Sequence, residues 1–262
     1  NNLMNNQDKN QLYKNITPIF LIGAMKSGTT SLFKYLEDQD EICFPPIKEP
    51  EYFSKRLGPV KYKQMDFWEL YDLKPNHKFV FDGSASYTKH PVESGVPKRI
   101  FDCGLKPKFI YIVRNPFDRI ESHYNFMKKT INWQSKITST QLMNVSNYYL
   151  QLKQYEPYFD GEDFLILDFD ELKNNPNILL ESIAEFTGLK DLQMIQENIR
   201  TNKTKPSSRN EVILKNKLGK KFKFIPKPFK NTGVGFPKNR TVVNSNLLTL
   251  NSNCYYENKQ IQ

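Results

Sequence analysis

Short apolar runs alternate along this chain with stretches whose apolar residues recur at helical spacing. Residues 19–22 (Ile-Phe-Leu-Ile) lie between Pro18 and Gly23 and read as a buried parallel strand. From Thr29 onward, Leu32, Phe33, Tyr35 and Leu36 share one helix face. Further strand patterns fall at 42–44, 78–84, 108–113 and 164–168. Helical spacing marks 60–71, with Phe67 and Leu70 inward, as well as 96–101 and 141–159. It also marks the stretch opened by Asn115 and Pro116, and the run that follows residue 168 reads as a turn and then an amphipathic helix up to Leu189. Asn115 is a natural N-cap, and Pro116 suits the first helical position. Residues 129–139 are polar and predict a loop or a helix start, and 243–262 predict a last amphipathic helix. Strands and helices in alternation imply an α/β fold of three layers, a central parallel sheet flanked by helices. Its ligands are expected at the C-terminal ends of the strands.

The 262 residues suffice for one domain, expected over 16–262 behind a flexible polar leader, 1–15. No apolar run is long enough to span a membrane, and the first residues carry no signal-peptide pattern. Cys43, Cys103 and Cys254 are scattered and odd in number, which fits free thiols in a reducing compartment. Sequons occur at Asn15, Asn144, Asn202 and Asn239 in an Asn-rich composition. The cysteine usage, together with the position of Asn239, leads to the expectation of a cytoplasmic protein.

Charge is concentrated. The formal net charge is +10, yet residues 201–240 hold twelve Lys/Arg against one acidic residue, Glu211, which leaves the rest near neutrality. Such a segment attracts phosphate, sulfate or acidic polymers. Lys215, Lys217, Lys220 and Lys221 read as a solvated face or an acceptor-side patch. No helix-turn-helix, zinc-finger or aromatic RNA-binding signature accompanies it, so no nucleic-acid partner is expected.

The chemistry centres on residues 18–36. A strand, the turn from Gly23 to Gly28 and a helix opened by Thr29, Thr30 and Ser31 form an anion site, since amide groups there lack internal partners and the helix dipole adds positive charge. A nucleoside-triphosphate loop places lysine directly after the second glycine. Here that position is Thr29, and the lysine, Lys26, lies inside the turn beside Ser27. A strand followed by G-x-x-K-S-G-T-T and an amphipathic helix resembles the 5′-phosphosulfate loop of sulfotransferases that use 3′-phosphoadenosine 5′-phosphosulfate (PAPS). A P-loop-like fold is the corresponding expectation.

Other motifs extend the resemblance, which is nearest to glycan sulfotransferases of the heparan-sulfate type. Arg114-Asn115-Pro116 with Ser122 is similar to the family's grip on the 3′-phosphate, and a forked guanidinium with a helix-borne hydroxyl suits that task. Lys48-Glu49-Pro50-Glu51-Tyr52-Phe53 resembles a Lys-Glu-Pro-x-Phe-Phe run whose glutamate is the general base. This maps the base onto Glu49, with Glu51 as rival carboxylate. Ser84-Ala85-Ser86-Tyr87 is similar to the family's Ser-Pro-x-Tyr acceptor loop, although Gly83 and Ala85 replace a lysine and a proline. Gly235, Lys238 and Arg240 fall on a Gly, Lys and Arg of the loop that closes over the cofactor, while Asn239 replaces a glycine. Arg119 and Glu121 read as a solvated or structural pair. His77, His90 and His123 are the remaining candidate bases, and His90, after the acceptor-like loop, is the best placed.

The resemblance implies in-line transfer of a sulfuryl group from PAPS to an acceptor hydroxyl, with 3′,5′-ADP as the other product and a glycan or glycoconjugate as acceptor. Lys26 and Glu49 are the expected catalytic pair. Lys26, Ser27, Gly28, Thr29, Thr30, Ser31, Arg114, Ser122, Lys238 and Arg240 are expected at the cofactor, and Lys48, Ser84, Tyr87 and His90 at the acceptor. No metal is expected, because the sulfuryl group carries less charge than a terminal phosphoryl group. The alternatives are a P-loop nucleotide kinase and a non-catalytic binder of acidic polymers acting through 201–240.

Overall fold

A computed structural model describes residues 13–190. The basic segment 201–240 with Gly235, Lys238 and Arg240, the expected last helix, Cys254 and most of the leader lie outside the described residues. The leader's Tyr13 is described, and its ring stacks on Trp68 with centroids 5.0 Å apart.

Five parallel strands form one sheet in the order β2-β3-β1-β4-β5. They are β1 (Thr17–Gly23), β2 (Ile42–Cys43), β3 (Phe79–Asp82), β4 (Lys108–Val113) and β5 (Phe164–Asp168). The apolar runs fill both faces by alternation. Phe20, Ile22, Val80, Phe109, Tyr111 and Ile166 enter one core. Ile19, Leu21, Phe81, Ile110, Ile112 and Leu167 enter the other. Helix α1 (Thr29–Leu36) packs Leu32, Phe33 and Leu36 on the second face together with α6 (Phe169–Asn174) and α7 (Pro176–Thr187). On the first face, α2 (Val96–Asp102) contributes Val96 and Ile100.

Strand order locates the functional crevice. From β1 the chain crosses to β2 and β3 on one side, and it returns to place β4 on the other. The C-terminal ends of β1 and β4 are therefore the switch point at which parallel α/β sheets bind ligands. The pairing of these two strands shifts register between Leu21 and Gly23, just where the turn begins.

After β4 comes α3 (Pro116–Ile131), capped as expected: the Asn115 side chain accepts from the amides of Phe117 and Asp118. The single helix expected over 141–159 is instead two, α4 (Thr140–Ser146) and α5 (Tyr148–Leu152). Asn147 separates them because its side-chain oxygen caps α5 at the Leu150 amide, 3.1 Å away. The helix expected over 60–71 is two 3₁₀ turns, Val60–Gln64 and Phe67–Leu70. Asp66 stops the first and opens the second with a capping box closed by Glu69. Phe67 and Leu70 are buried as expected.

Candidate active site

The turn after β1 is held by contacts that leave its amides outward. The Ser27 amide donates to Ala24 O at 3.0 Å, and the Ala24 amide donates to Ile112 O of β4 at 2.9 Å. Lys26 and Gly28 both adopt left-handed backbone, with φ of 71° and 86°. At Gly28 only glycine fits: a Cβ would lie 2.7 Å from Leu172 and 3.0 Å from Phe169. Two arginines grip consecutive loop carbonyls from the β4–α3 side. Arg119 Nη1 donates to Met25 O and Arg114 Nη1 donates to Lys26 O, each at 3.2 Å. Among the described residues, the amides of Lys26, Gly28, Thr29 and Thr30 have no hydrogen-bond acceptor. Consecutive free amides at a helix start, beside Lys26 and Arg114, fit a nucleotide phosphate.

Lys26 is half-buried, and its Nζ lies 4.5 Å from the centroid of the Phe126 ring. Burial first and the Arg114 charge second lower its pKa. The Arg114 guanidinium stacks on Phe169, 4.6 Å from the ring centroid. Its backbone is anchored too, because Tyr148 Oη donates to Arg114 O at 2.8 Å. Ser122 is half-buried on α3, one turn before Phe126 and on the same helix face. Within the loop and α1, Ser27 and Thr29 are buried, Gly28 and Ser31 are half-buried, and Thr30 is exposed.

The second half of the site arrives through Lys48. Its Nζ donates to Thr30 Oγ1 at 3.2 Å and to Glu49 Oε1 at 2.6 Å. Glu49 is thereby placed beside the start of α1 with a side chain 42% exposed. Glu51 is its opposite. The carboxyl is buried and accepts from Ser86 Oγ, while its amide donates to Ser84 Oγ at 2.9 Å. Burial, foremost, pushes its pKa up to about 7, and the nearby Asp82 carboxyl adds to the rise. The two carboxylates have distinct environments, one open at the loop and one closed in the core.

Ser84 and Tyr87, expected at the acceptor, are fully buried. Ser84 Oγ takes the Glu51 amide; Tyr87 Oη takes the Phe53 amide at 3.1 Å and donates to Asp82 Oδ2 at 2.7 Å. Their hydroxyls hold the 49–53 segment against β3. Buried Asp82 has its pKa raised to about 6, chiefly by desolvation.

The histidines divide by position. His77 precedes β3, at the end of the sheet opposite the loop, and its Nδ1 accepts from the Lys74 amide at 3.0 Å. His123 is buried on α3 against Arg119, and its pKa is driven down to about 3 by burial and then by the Arg119 charge, so it is neutral at physiological pH. His90 is half-buried and its backbone is held at both ends by Gln151, with Nε2 to His90 O at 2.9 Å and Oε1 from the His90 amide at 2.7 Å. Burial lowers its pKa.

Of the two readings open for Arg119, solvated or structural, burial excludes the first: the side chain is 0% exposed. The signal was present: Pro116, Arg119, Ile120 and His123 lie at the spacing of a core stripe.

The family model described as "Sulfotransferase domain" matches residues 17–232. The chain belongs to the sulfotransferase family. It is 28% identical over 200 residues to the human bifunctional heparan sulfate N-deacetylase/N-sulfotransferase 2, a match that covers 66% of this chain and 22% of that protein. It is 24% identical over 268 residues to human carbohydrate sulfotransferase 15, covering 73% of this chain and 48% of the relative. A membrane-associated sulfotransferase, kil1, of Dictyostelium discoideum is 30% identical over 122 residues, covering 47% and 25%. The chain thus spans less than half the length of these relatives. Among solved structures, a sulfotransferase from Alicyclobacillus acidocaldarius superposes with a TM-score of 0.57 at 23% identity, covering 75% of this chain and 89% of that one. This likeness shows the same P-loop-like α/β fold.

These relatives overturn the cytoplasmic expectation, since this sulfotransferase sides with heparan sulfate and carbohydrate enzymes and with one named as membrane-associated. The cysteine argument failed for a physical reason. A core of this size needs no disulfide scaffold, so scattered thiols do not report the compartment. Among the described residues, no helix is long and apolar enough to cross a membrane.

Proposed function

We propose that this sulfotransferase moves the sulfuryl group of PAPS to a hydroxyl of a carbohydrate acceptor, with Glu49 as general base and Lys26 as the cation at the reacting centre. The observation that carries this reading is the Lys48 bridge, which holds the Glu49 carboxylate beside Thr30 at the mouth of the anion loop. PAPS supplies the sulfuryl group and 3′,5′-ADP as leaving group. The amides of Lys26, Gly28, Thr29 and Thr30 bind its 5′-phosphate end. Arg114, preorganised by Phe169 and Tyr148, takes the 3′-phosphate with Ser122. Lys26 offsets negative charge that builds toward the leaving group. Glu49 accepts the proton of the attacking hydroxyl. Ser84, Tyr87 and Glu51 act behind it, by fixing the segment that carries it. The acceptor side is drawn from Lys48 and His90. No step calls for a metal ion.

The relatives that act on heparan sulfate and other carbohydrates support a glycan acceptor. Incubation with radiolabelled PAPS and a panel of desulfated glycans tests this. Label transferred to sugar hydroxyls is the expected result; transfer confined to phenols or small alcohols contradicts the acceptor class.

A further inference from the structure

Arg119 carries a buried positive charge whose hydrogen-bond acceptors are all neutral. Nε donates to Ser146 Oγ at 2.7 Å, Nη2 to Leu142 O at 3.1 Å and Nη1 to Met25 O at 3.2 Å. Nη1 also lies 3.2 Å from His123 Nδ1, which is neutral. Among the described residues, no carboxylate forms an ion pair with it. A cation removed from water without a counter-charge is costly, by several kcal/mol on general grounds. Such a cost persists where an anion arrives from outside to balance it.

The geometry states what that cation does to the loop. A trans peptide holds C=O and N–H on opposite sides. When Arg119 draws Met25 O toward α3, the Lys26 N–H is turned the other way, and among the described residues it has no acceptor. Lys26 is also one of the two left-handed residues of the turn, with Gly28. Arg114 fixes the next carbonyl, Lys26 O, from a half-buried position. Arg119, by contrast, is fully enclosed and is anchored on α4 through Leu142 O.

We infer that Arg119 is a positioning residue for the donor nucleotide: it clamps the Met25–Lys26 peptide from behind so that the Lys26 amide faces the 5′-phosphate, and its own charge is balanced by that phosphate. This rests on reading the loop as a 5′-phosphate site. Arg119 touches no substrate; it acts through the loop backbone.

The test compares wild type with Arg119→Gln, which keeps hydrogen-bond donors but loses the charge, and Arg119→Lys, which keeps the charge but loses the fork. Calorimetry gives Kd for 3′,5′-ADP, and kinetics separate the KM values of PAPS and acceptor. The expected result is a Kd weakened by about tenfold or more in Arg119→Gln, as for loss of a charged hydrogen-bonding group. Arg119→Lys should lie between it and wild type, the PAPS KM should follow the Kd, and the acceptor KM should stay unchanged. A merely structural arginine would lower the folded fraction while the remaining protein bound 3′,5′-ADP normally. A Kd within twofold of wild type in Arg119→Gln, or PAPS and acceptor KM rising together, overturns the inference. Should Arg119→Gln fail to fold, Ser146→Ala decides, since it frees Nε and leaves the charge. A Kd weakened about threefold or more supports the clamp; an unchanged Kd overturns it. Wild type that binds ATP in preference to 3′,5′-ADP would overturn the proposed function alone, and the same variants would then be read with ATP. Wild type that binds neither overturns both.

Discussion

Lys48 Nζ lies 3.2 Å from Thr30 Oγ1, and this contact joins two segments that come from different parts of the chain. Thr30 opens the helix after β1, while Lys48 belongs to the run that carries Glu49. Replacing Lys48 with Met keeps the aliphatic stem and removes the bridge. The expected outcome is a loss of kcat/KM of about tenfold, comparable to one charge-assisted hydrogen bond, without a change in thermal midpoint beyond a few degrees. Steady-state kinetics and a melting curve check both halves.

Lys26 sits at the apex of the loop with its ammonium over Phe126 and next to Arg114. Its work is assigned to charge that appears during transfer, so Lys26→Ala should lower kcat by about 10²–10³-fold. The Kd for 3′,5′-ADP should move much less. Equal losses in kcat and in product affinity would make Lys26 a simple binding residue.

Glu49 and Glu51 separate cleanly by their surroundings. With the open carboxylate at the loop as the proposed base, Glu49→Gln should abolish turnover and leave 3′,5′-ADP binding intact. Glu51→Gln should retain turnover, since Glu51 faces Ser86 in the core. The reverse pattern in a turnover assay would exchange their roles.

The buried Glu51 also predicts a pH dependence of stability. Its pKa is raised from 4.5 to about 7, mainly by burial. Between these values the folded protein holds a proton that the unfolded chain has released, so its contribution to stability is full below about pH 4.5 and is lost as pH rises toward 7. Asp82, raised to about 6, acts in the same direction. Glu51→Gln cannot ionise, and Gln still accepts from Ser86. Melting curves across this range should therefore show wild type losing stability relative to Glu51→Gln as pH rises, by up to about 3 kcal/mol. A constant difference would place the titration elsewhere.

With no step assigned to a metal, transfer from PAPS should proceed undiminished in excess chelator. A loss of activity on EDTA treatment that magnesium or manganese restores would contradict this part of the mechanism.

Much of the site was legible because its signals are local. The strand 108–113, the Asn115 cap and the turn from Gly23 to Gly28 each depend on residues adjacent in sequence, and each stands where the pattern put it. What escaped depends on tertiary partners. A serine or tyrosine hydroxyl does not announce its acceptor, and Ser84 and Tyr87 turn out to bind the 49–53 backbone. For Arg119 the sequence left a solvated and a structural role open, because arginine is rarely enclosed; its place on the Pro116–Ile120–His123 stripe is the feature that points to burial. The break at Asn147 was hidden for a related reason, since a side chain that caps the next helix is compatible with an unbroken apolar period.

The central claim is that the loop and Arg114 together hold a nucleotide with a 3′-phosphate. Calorimetric titration with 3′,5′-ADP and, separately, with ATP and magnesium tests it most directly. The account predicts that 3′,5′-ADP binds at least about tenfold more tightly, and that Arg114→Ala removes most of this preference, as expected for a forked charge-assisted contact. ATP binding as tight as 3′,5′-ADP, or a preference that survives Arg114→Ala, would contradict it.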